Sequence, residues 1–554
     1  MVGARERRLA ELTAPGAAYE LRDEVVDGVP LRVYARAPRS LAEVLAASRS
    51  FGDRDLLVHG DDRLTFAEHA DLATALAGWL HHVAGVGRGD RVAVSMRNVP
   101  EWSPVFWATT ALGAILVPLN AWWTAAEFRH ALADCRPSLV IADPERVDVL
   151  LGVPELDVPV IEVRGTRGRG GGIVPWDEVV EQSRAVGPAP EVPIGPDDDA
   201  TILYTAGTTG TPKGAVGSHR NFGTDVMNRS LAVVAGRGDA APVPSRLLLT
   251  YPMFHIAGLC VLVSAVWAGT TVVTMHRWDP DEAVTLIRRE RLTGAAGVPL
   301  TMGQLVDAVA PHRHELGHLG AIRMGGTAVP PELVRRIGAR FDGAVAPTNA
   351  YGLTETTSGV VTTSGAEYLA SPDVVGRPYP GLELAVVDPA TGDRQPPGEV
   401  GEVWLRGANV VRRYWNAPAA TAQAFTDGWF HTGDLGRVDD EGRLRVVDRI
   451  KDVVDRGGEA VHCVEVEDAI AEHPDVVEVA VIGVRHPDLG EEVGAIVRTR
   501  PGTALRADDL RSDLTARLAH FKIPTVVAFR DEPLPRNAVG KILKQPLRAG
   551  LRVP

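Results

Sequence analysis

LATALAGWLHHVAGVGRGDRVAVSM, residues 72–96, changes periodicity part-way along. Leu72, Leu76, Leu80 and Val83 fall on one helical face. Gly87 to Asp90 then turns the chain into Val92–Met96, a short apolar run of the kind a buried strand carries. The pattern repeats downstream: Trp102–Leu112 reads as helix, and Ala114–Leu119 and Leu139–Ala142 read as strands. Strands alternating with helices predict an α/β protein with a largely parallel sheet covered on both faces.

Composition agrees with a large enzyme of that class. The chain has 554 residues, 45% of them hydrophobic and 23% charged, which excludes a mostly disordered polymer. At about 150 residues per domain, roughly three to four domains or subdomains are expected. The 57 glycines and 40 prolines lack a Gly-X-Y period and mark tight turns and loops. A net charge of −13 repels nucleic acid, so no nucleic-acid partner is expected. Gly165–Gly172 is basic and glycine-rich, but it is short, lacks aromatic partners and reads as a surface loop. The three cysteines, Cys135, Cys260 and Cys463, suggest neither a zinc site nor a disulfide framework and suit a reduced, cytoplasmic setting. Met1 to Tyr19 has no apolar signal core. Leu247 to His276 carries no Asp, Glu, Lys or Arg over about 30 residues, a length that could cross a bilayer. Its Pro252, His255, Gly258 and Gly269 instead predict a buried helix followed by a buried strand, and no transmembrane segment.

A second organisation begins near residue 450. Glu465–His473 reads as helix, stopped by Pro474; Val476–Val484 reads as strand; Leu510, Leu514 and Leu518 recur on a second helix. The expected division is residues 1–447, a hinge at 448–451, and a small α+β domain at 452–554.

The densest chemical signal is Tyr204-Thr-Ala-Gly-Thr-Thr-Gly-Thr-Pro-Lys-Gly214, after the apolar run Ala200–Leu203. Glycines let backbone N–H groups close around phosphate oxygens, threonines add hydroxyl donors, and Lys213 adds a positive charge. The spacing is not that of a P-loop, because Gly214 stands where a Mg²⁺-binding hydroxyl would follow the lysine.

This stretch resembles a signature of the adenylate-forming superfamily, which includes acyl-CoA synthetases, peptide-synthetase adenylation domains and luciferases. Four further segments resemble that family's motifs, in its order: Tyr351-Gly-Leu-Thr-Glu-Thr356, Gly433-Asp434, Asp448-Arg-Ile-Lys-Asp452 followed by Gly457-Gly458-Glu459, and Pro535-Arg-Asn-Ala-Val-Gly-Lys-Ile542. The resemblance covers essentially the whole chain. It implies a large N-terminal adenylate-forming domain with a β subdomain and a small, mobile C-terminal lid. It also implies a carboxylic acid activated on ATP as an acyl-adenylate, then captured by a thiol, usually that of CoA.

On that resemblance, Thr205, Ala206, Gly207, Thr208, Thr209, Gly210 and Lys213 hold phosphate. Glu355 binds Mg²⁺, with a hydroxyl contribution from Thr205. Thr354 reaches the AMP phosphate, Asp434 the ribose hydroxyls, and Arg449 the ribose or phosphate. Gly325, Gly326 and Thr327, with Asn349, Ala350, Tyr351 and Gly352, form the adenine slot. Lys541 bridges the attacking carboxylate and the α-phosphate, and His255 lines the carboxylate channel. Lys451 is the hinge, and Gly457, Gly458 and Glu459 face the CoA side. The family commonly has Ser or Thr at Ala206, Asn and Pro at Ala460 and Cys463, and Gly at Arg413, and some members carry Lys at Asp455. The acid pocket is expected near Asn221–Met227, His255–Gly258, Pro299–Met302 and Gly325–Thr327. It lacks a carboxylate for a substrate amine, which favours an apolar acid, fatty or aryl. Loading of an acyl carrier protein, or a non-catalytic nucleotide-binding relative, remain as alternatives, and a homodimer is left open.

Overall fold

The computed structural model describes residues 2–153, 157–165, 172–205, 212–238, 244–537, 540–548 and 551. Two large sheets dominate it. In the first, Arg91–Ser95 lies between Ile115–Pro118 and Leu139–Ala142, parallel to both. The sheet continues through Val160–Glu162 to Ile173–Pro175 on one side and through Asp199–Thr205 to Lys213–Ser218 on the other. The second sheet has nine strands, and those at its centre, including Arg246–Leu249, Gly294–Gly297, Ala321–Gly325 and Ala346–Leu353, are parallel. The expected strand–helix alternation is therefore present, with Phe66–His82 and Trp102–Ala111 as its helices. Leu76 and Leu80 of the first helix are buried, whereas Val83 lies just past its end and is exposed. A capping box starts that helix: the Glu68 N–H donates to the Thr65 hydroxyl, and the Thr65 N–H donates to the Glu68 carboxylate.

Leu247–His276 is interior, as its composition predicts. It opens with the strand Arg246–Leu249, continues as the helix Ile256–Ala268 and ends in the strand Thr271–Thr274. The helix is apolar on nearly every face and packs in a core shared by residues of both sheets, among them Val92, Val94, Leu247 and Leu249. No helix among the described residues is long and apolar enough to cross a membrane.

Antiparallel strands Glu383–Val387, Gly401–Arg406, Trp429–Val438 and Leu444–Arg449 build the β subdomain. After Asp452 a separate core forms. The hairpin Val476–His486/Gly490–Thr499 pairs in parallel with Val526–Arg530, and the helices Cys463–Ala471 and Ala507–Leu514 bury Val466, Ile470, Leu510 and Leu514. The α/β class with a smaller C-terminal α+β unit is the observed architecture. Gly165 and Gly172 are described, but residues 166–171 of that loop lie outside the described residues.

Candidate active site

Residues from all five motif segments, among them Lys213, Glu355, Gly433, Arg449 and Lys541, line one cavity of about 2080 Å³. Its position follows from the topology. Thr205 and Lys213 end two paired strands and are register partners, and both line the cavity. Ala206, Gly207, Thr208, Thr209 and Gly210, which lie between them, are outside the described residues. The Lys213 ammonium sits 5.6 Å from the centre of the Tyr414 ring.

Tyr414 also holds Glu355. Its hydroxyl donates to Glu355 Oε1 at 2.8 Å, and the carboxylate is buried at 7% exposure. No side chain among the described residues donates to Oε2. Burial raises the Glu355 pKa, and the Tyr414 hydrogen bond opposes that rise. Glu355 and Thr354 form a short 3₁₀ turn after the strand Ala346–Leu353, and both reach the cavity. No group of three or more His, Cys, Asp or Glu suited to a metal is found among the described residues. A lone carboxylate with one oxygen left uncommitted fits a Mg²⁺ ion that keeps waters and binds substrate phosphates, and does not fit an all-protein cage.

The strand Ala346–Leu353 sorts its residues by alternation. Thr348, Ala350, Gly352 and Leu353 line the cavity, the alternation ending at a register shift after Tyr351. Asn349 is buried, and Tyr351 donates its hydroxyl to Asp434 Oδ2 at 2.7 Å. Of the residues expected to form the adenine slot on this strand, Ala350 and Gly352 line the cavity, and Asn349 and Tyr351 are not among its lining residues. Gly325 and Gly326 do line the cavity, whereas Thr327 does not. A side chain at Gly325 would put its Cβ 2.6 Å from the Ala350 carbonyl oxygen, so only glycine permits the close strand approach there.

Asp434 Oδ1 pairs with Arg449 Nε at 2.8 Å, across the register partners Asp434 and Arg449 of two antiparallel strands. Asp434 is 3% exposed and is not among the cavity's lining residues, although its neighbours Gly433 and Arg449 are. Lys541 and Arg449 both line the cavity. Burial, together with the positive charges of Arg449 and Lys451, brings Lys541 down to about 8. The Lys541 backbone is fixed by its N–H donating to Asn537 Oδ1 at 2.9 Å; Ala538 and Val539 lie outside the described residues. Gly457, Gly458 and Glu459 are exposed and do not line the cavity; Asp455 Oδ1 accepts from the Gly458 N–H at 2.8 Å and shapes their turn. Lys451 is exposed in a short turn, Ile450–Asp452.

His255 precedes the helix Ile256–Ala268 and lines the cavity. Its Nδ1 accepts from the Ala257 N–H at 3.3 Å, which leaves the proton on Nε2, and burial lowers its pKa to about 4. The imidazole is thus a neutral donor. Val226, His255, Ile256, Ala257, Gly325 and Gly326 belong to the lining of the expected acid pocket, but Pro299–Met302 do not. The sequence reading also passed over two lining arginines, Arg229 and Arg323. Arg229 is ion-paired to Asp225 at 2.8 Å. The available signal was an arginine inside an otherwise apolar strand, Ala321–Gly325.

A hairpin carrying the Tyr204–Gly214 motif, the buried carboxylate of Glu355, the Asp434–Arg449 pair and a cavity-facing lysine from the C-terminal unit fit the class of AMP-forming acid–thiol ligases. The comparisons agree. Residues 45–415 match the AMP-binding enzyme family model and residues 465–541 match its C-terminal domain model. The chain belongs to the AMP-binding enzyme family. It is 36% identical over 495 residues to a feruloyl-CoA synthase of Amycolatopsis sp, covering 88% of this chain and 94% of that protein. It is 34% identical over 472 residues to a fatty acid–[acyl-carrier-protein] ligase of Streptomyces coeruleorubidus, covering 84% and 87%. The crystal structure of ATP-bound MatB from Rhodopseudomonas palustris superposes with a TM-score of 0.81 at 30% identity, covering 92% of this chain and 98% of that one.

Proposed function

We propose that this protein is an ATP-dependent carboxylate–CoA ligase whose acid is a fatty or aryl compound. The observation that carries this reading is the convergence of Lys541, Glu355, Arg449 and His255 on one cavity. In the first half-reaction the acid's carboxylate oxygen attacks the α-phosphorus of ATP, and the bond to pyrophosphate breaks. Lys541, a cation below about pH 8, offsets the charge where carboxylate and phosphate meet. His255 donates from Nε2 and orients the carboxylate. Asp434 accepts from the ribose, held in place by Tyr351 and Arg449. Glu355 and Thr205, both in the cavity lining, would hold Mg²⁺, which when bound neutralises phosphate charge. In the second half-reaction the CoA thiol attacks the acyl carbon and AMP leaves.

The apolar side chains among the cavity residues near His255, such as Val226, Ile256 and Val261, support an acid with an apolar body. The feruloyl-CoA and fatty-acid relatives act on such acids by name. CoA is the proposed acceptor; the carrier-protein ligase among the relatives makes the alternative concrete. The test is pyrophosphate release with a panel of carboxylic acids, followed by CoA consumption. Pyrophosphate release without CoA consumption, and with acylation of a carrier protein, overturns the CoA assignment. No release with any acid overturns the enzyme reading.

A further inference from the structure

The wall of the acid pocket is built by strand register. Ala296, Arg323 and Thr348 are partners across three adjacent strands, and all three line the cavity. Arg323 and Gly325 lie two residues apart on one strand face, so the guanidinium stem starts roughly 7 Å below the Gly325-Gly326 turn. Ile322 and Met324 point to the opposite side, into a hydrophobic core. Arg323 itself is half-buried, and its strand neighbours Ala296 and Thr348 have short side chains. A Cβ built at Gly294 would lie 3.4 Å from Arg323 Nη1, which places the guanidinium beside that strand.

Arg323 makes no hydrogen bond or ion pair among the described residues. The ionisable side chains whose charge reaches it are Arg229 and Tyr379, and burial beside Arg229 lowers its pKa. Arg229 is satisfied by Asp225 at 2.8 Å and by the Ser358 hydroxyl at 3.0 Å. No carboxylate therefore faces Arg323. Among the described residues, the carboxylates in the cavity wall are Glu127, Glu355 and Glu402. They stand elsewhere: Glu127 caps the helix after Trp123, which packs on Tyr204; Glu402 accepts from the Gly433 N–H; Glu355 is held by Tyr414. A partly buried guanidinium without an anion is costly unless a ligand supplies one.

We propose that Arg323 reads the far end of the acid, and that the substrate is a dicarboxylic acid with an apolar body, activated at one carboxylate and paired with Arg323 through the other. This rests on the ligase reading above and narrows its acid. A guanidinium binds a carboxylate bidentately, whereas a neutral carbonyl or hydroxyl would leave the arginine's charge uncompensated.

The test measures acid-dependent ATP–pyrophosphate exchange for matched pairs: suberate against octanoate, with monomethyl suberate as the neutral-oxygen control, and terephthalate against 4-methylbenzoate. The wild type should favour the diacid of at least one pair by about tenfold or more in kcat/KM. Arg323→Met should lower that diacid about 10- to 100-fold, as when a hydrogen bond to a charged group is lost, and raise its apolar partner. Arg323→Lys keeps the charge and should retain the preference in part. Thermal melts confirm that both variants are folded. Exchange with octanoate or monomethyl suberate that exceeds the diacids in the wild type overturns this inference alone. A diacid preference untouched by Arg323→Met, or lost equally in Arg323→Lys, does the same. Exchange with no acid at all overturns the ligase reading itself.

Discussion

The Tyr414 hydroxyl donates to Glu355 Oε1 at 2.8 Å and holds a carboxylate that burial would otherwise push toward its neutral form. Only the ionised form offers a hard cation its charge. Glu355→Gln should therefore lose about 100-fold or more in adenylate formation, the scale of losing one charge-stabilising group. Tyr414→Phe should be milder. The Tyr414 bond lowers the Glu355 pKa, so its loss raises that pKa, and activity should fall away at a higher pH on the acid side. The acid limb of kcat/KM for ATP, measured by pyrophosphate release, reads this shift. An acid limb that stays in place in Tyr414→Phe, or near-normal release in Glu355→Gln at low Mg²⁺, would refute the assignment.

Lys541 should supply the alkaline limb. Its pKa is brought down to about 8 by burial and by Arg449 and Lys451, so the free protein loses this positive charge as pH rises through that value. We expect kcat/KM for ATP to decline above about pH 8. Lys541→Arg, whose guanidinium stays charged, should flatten that limb even where its geometry lowers the rate. An alkaline limb identical in both proteins would remove Lys541 from the assignment.

Thiol chemistry should belong to the acceptor alone. Cys135, Cys260 and Cys463 are all buried. Burial pushes Cys135 and Cys463 up to about 12 and Cys260 well above its ordinary value, which leaves almost no thiolate at neutral pH. The triple Cys→Ser variant should keep most of its CoA ligation once folding is confirmed. Loss of ligation with adenylation intact would place the acyl group on a cysteine.

The alternation around Arg91–Ser95 was legible because buried parallel strands are continuous apolar runs, and Leu139–Ala142 matches its expected bounds. The residues proposed for the nucleotide were named for a different reason. Glu355, Asp434, Arg449 and Lys541 sit in short contiguous motifs, so their neighbours carry the signal. The acid pocket has no such motif. Arg229, Arg323 and Val261 come from one helix, one strand and another helix, and only the packing of the helices on the second sheet brings them together. The bond from the Tyr351 hydroxyl to Asp434 was not legible, because it joins two motifs 83 residues apart that only the fold brings together.

The last prediction concerns motion. Lys541 faces the cavity, while Gly457, Gly458 and Glu459, on the same C-terminal unit, are exposed and away from it. Gly457 and Gly458 both have positive φ, at 63° and 92°, a backbone conformation that suits glycine. One rigid unit cannot present both faces to the cavity at once. If the glycine turn serves thioester formation, the unit at residues 452–554 must rotate on residues 448–451. Lys451 is exposed there in a one-turn element, the sort of element-terminal position that absorbs a φ/ψ change. Lys451→Pro fixes φ near −65° and restricts Ile450 as well. It should keep pyrophosphate release and strongly slow acyl-CoA formation. Lys541→Ala should do the reverse, with poor adenylation from acid and ATP but nearly normal conversion of supplied acyl-adenylate with CoA. Assaying the two half-reactions separately in both variants decides the matter, because equal losses in both would mean that a single pose serves both steps.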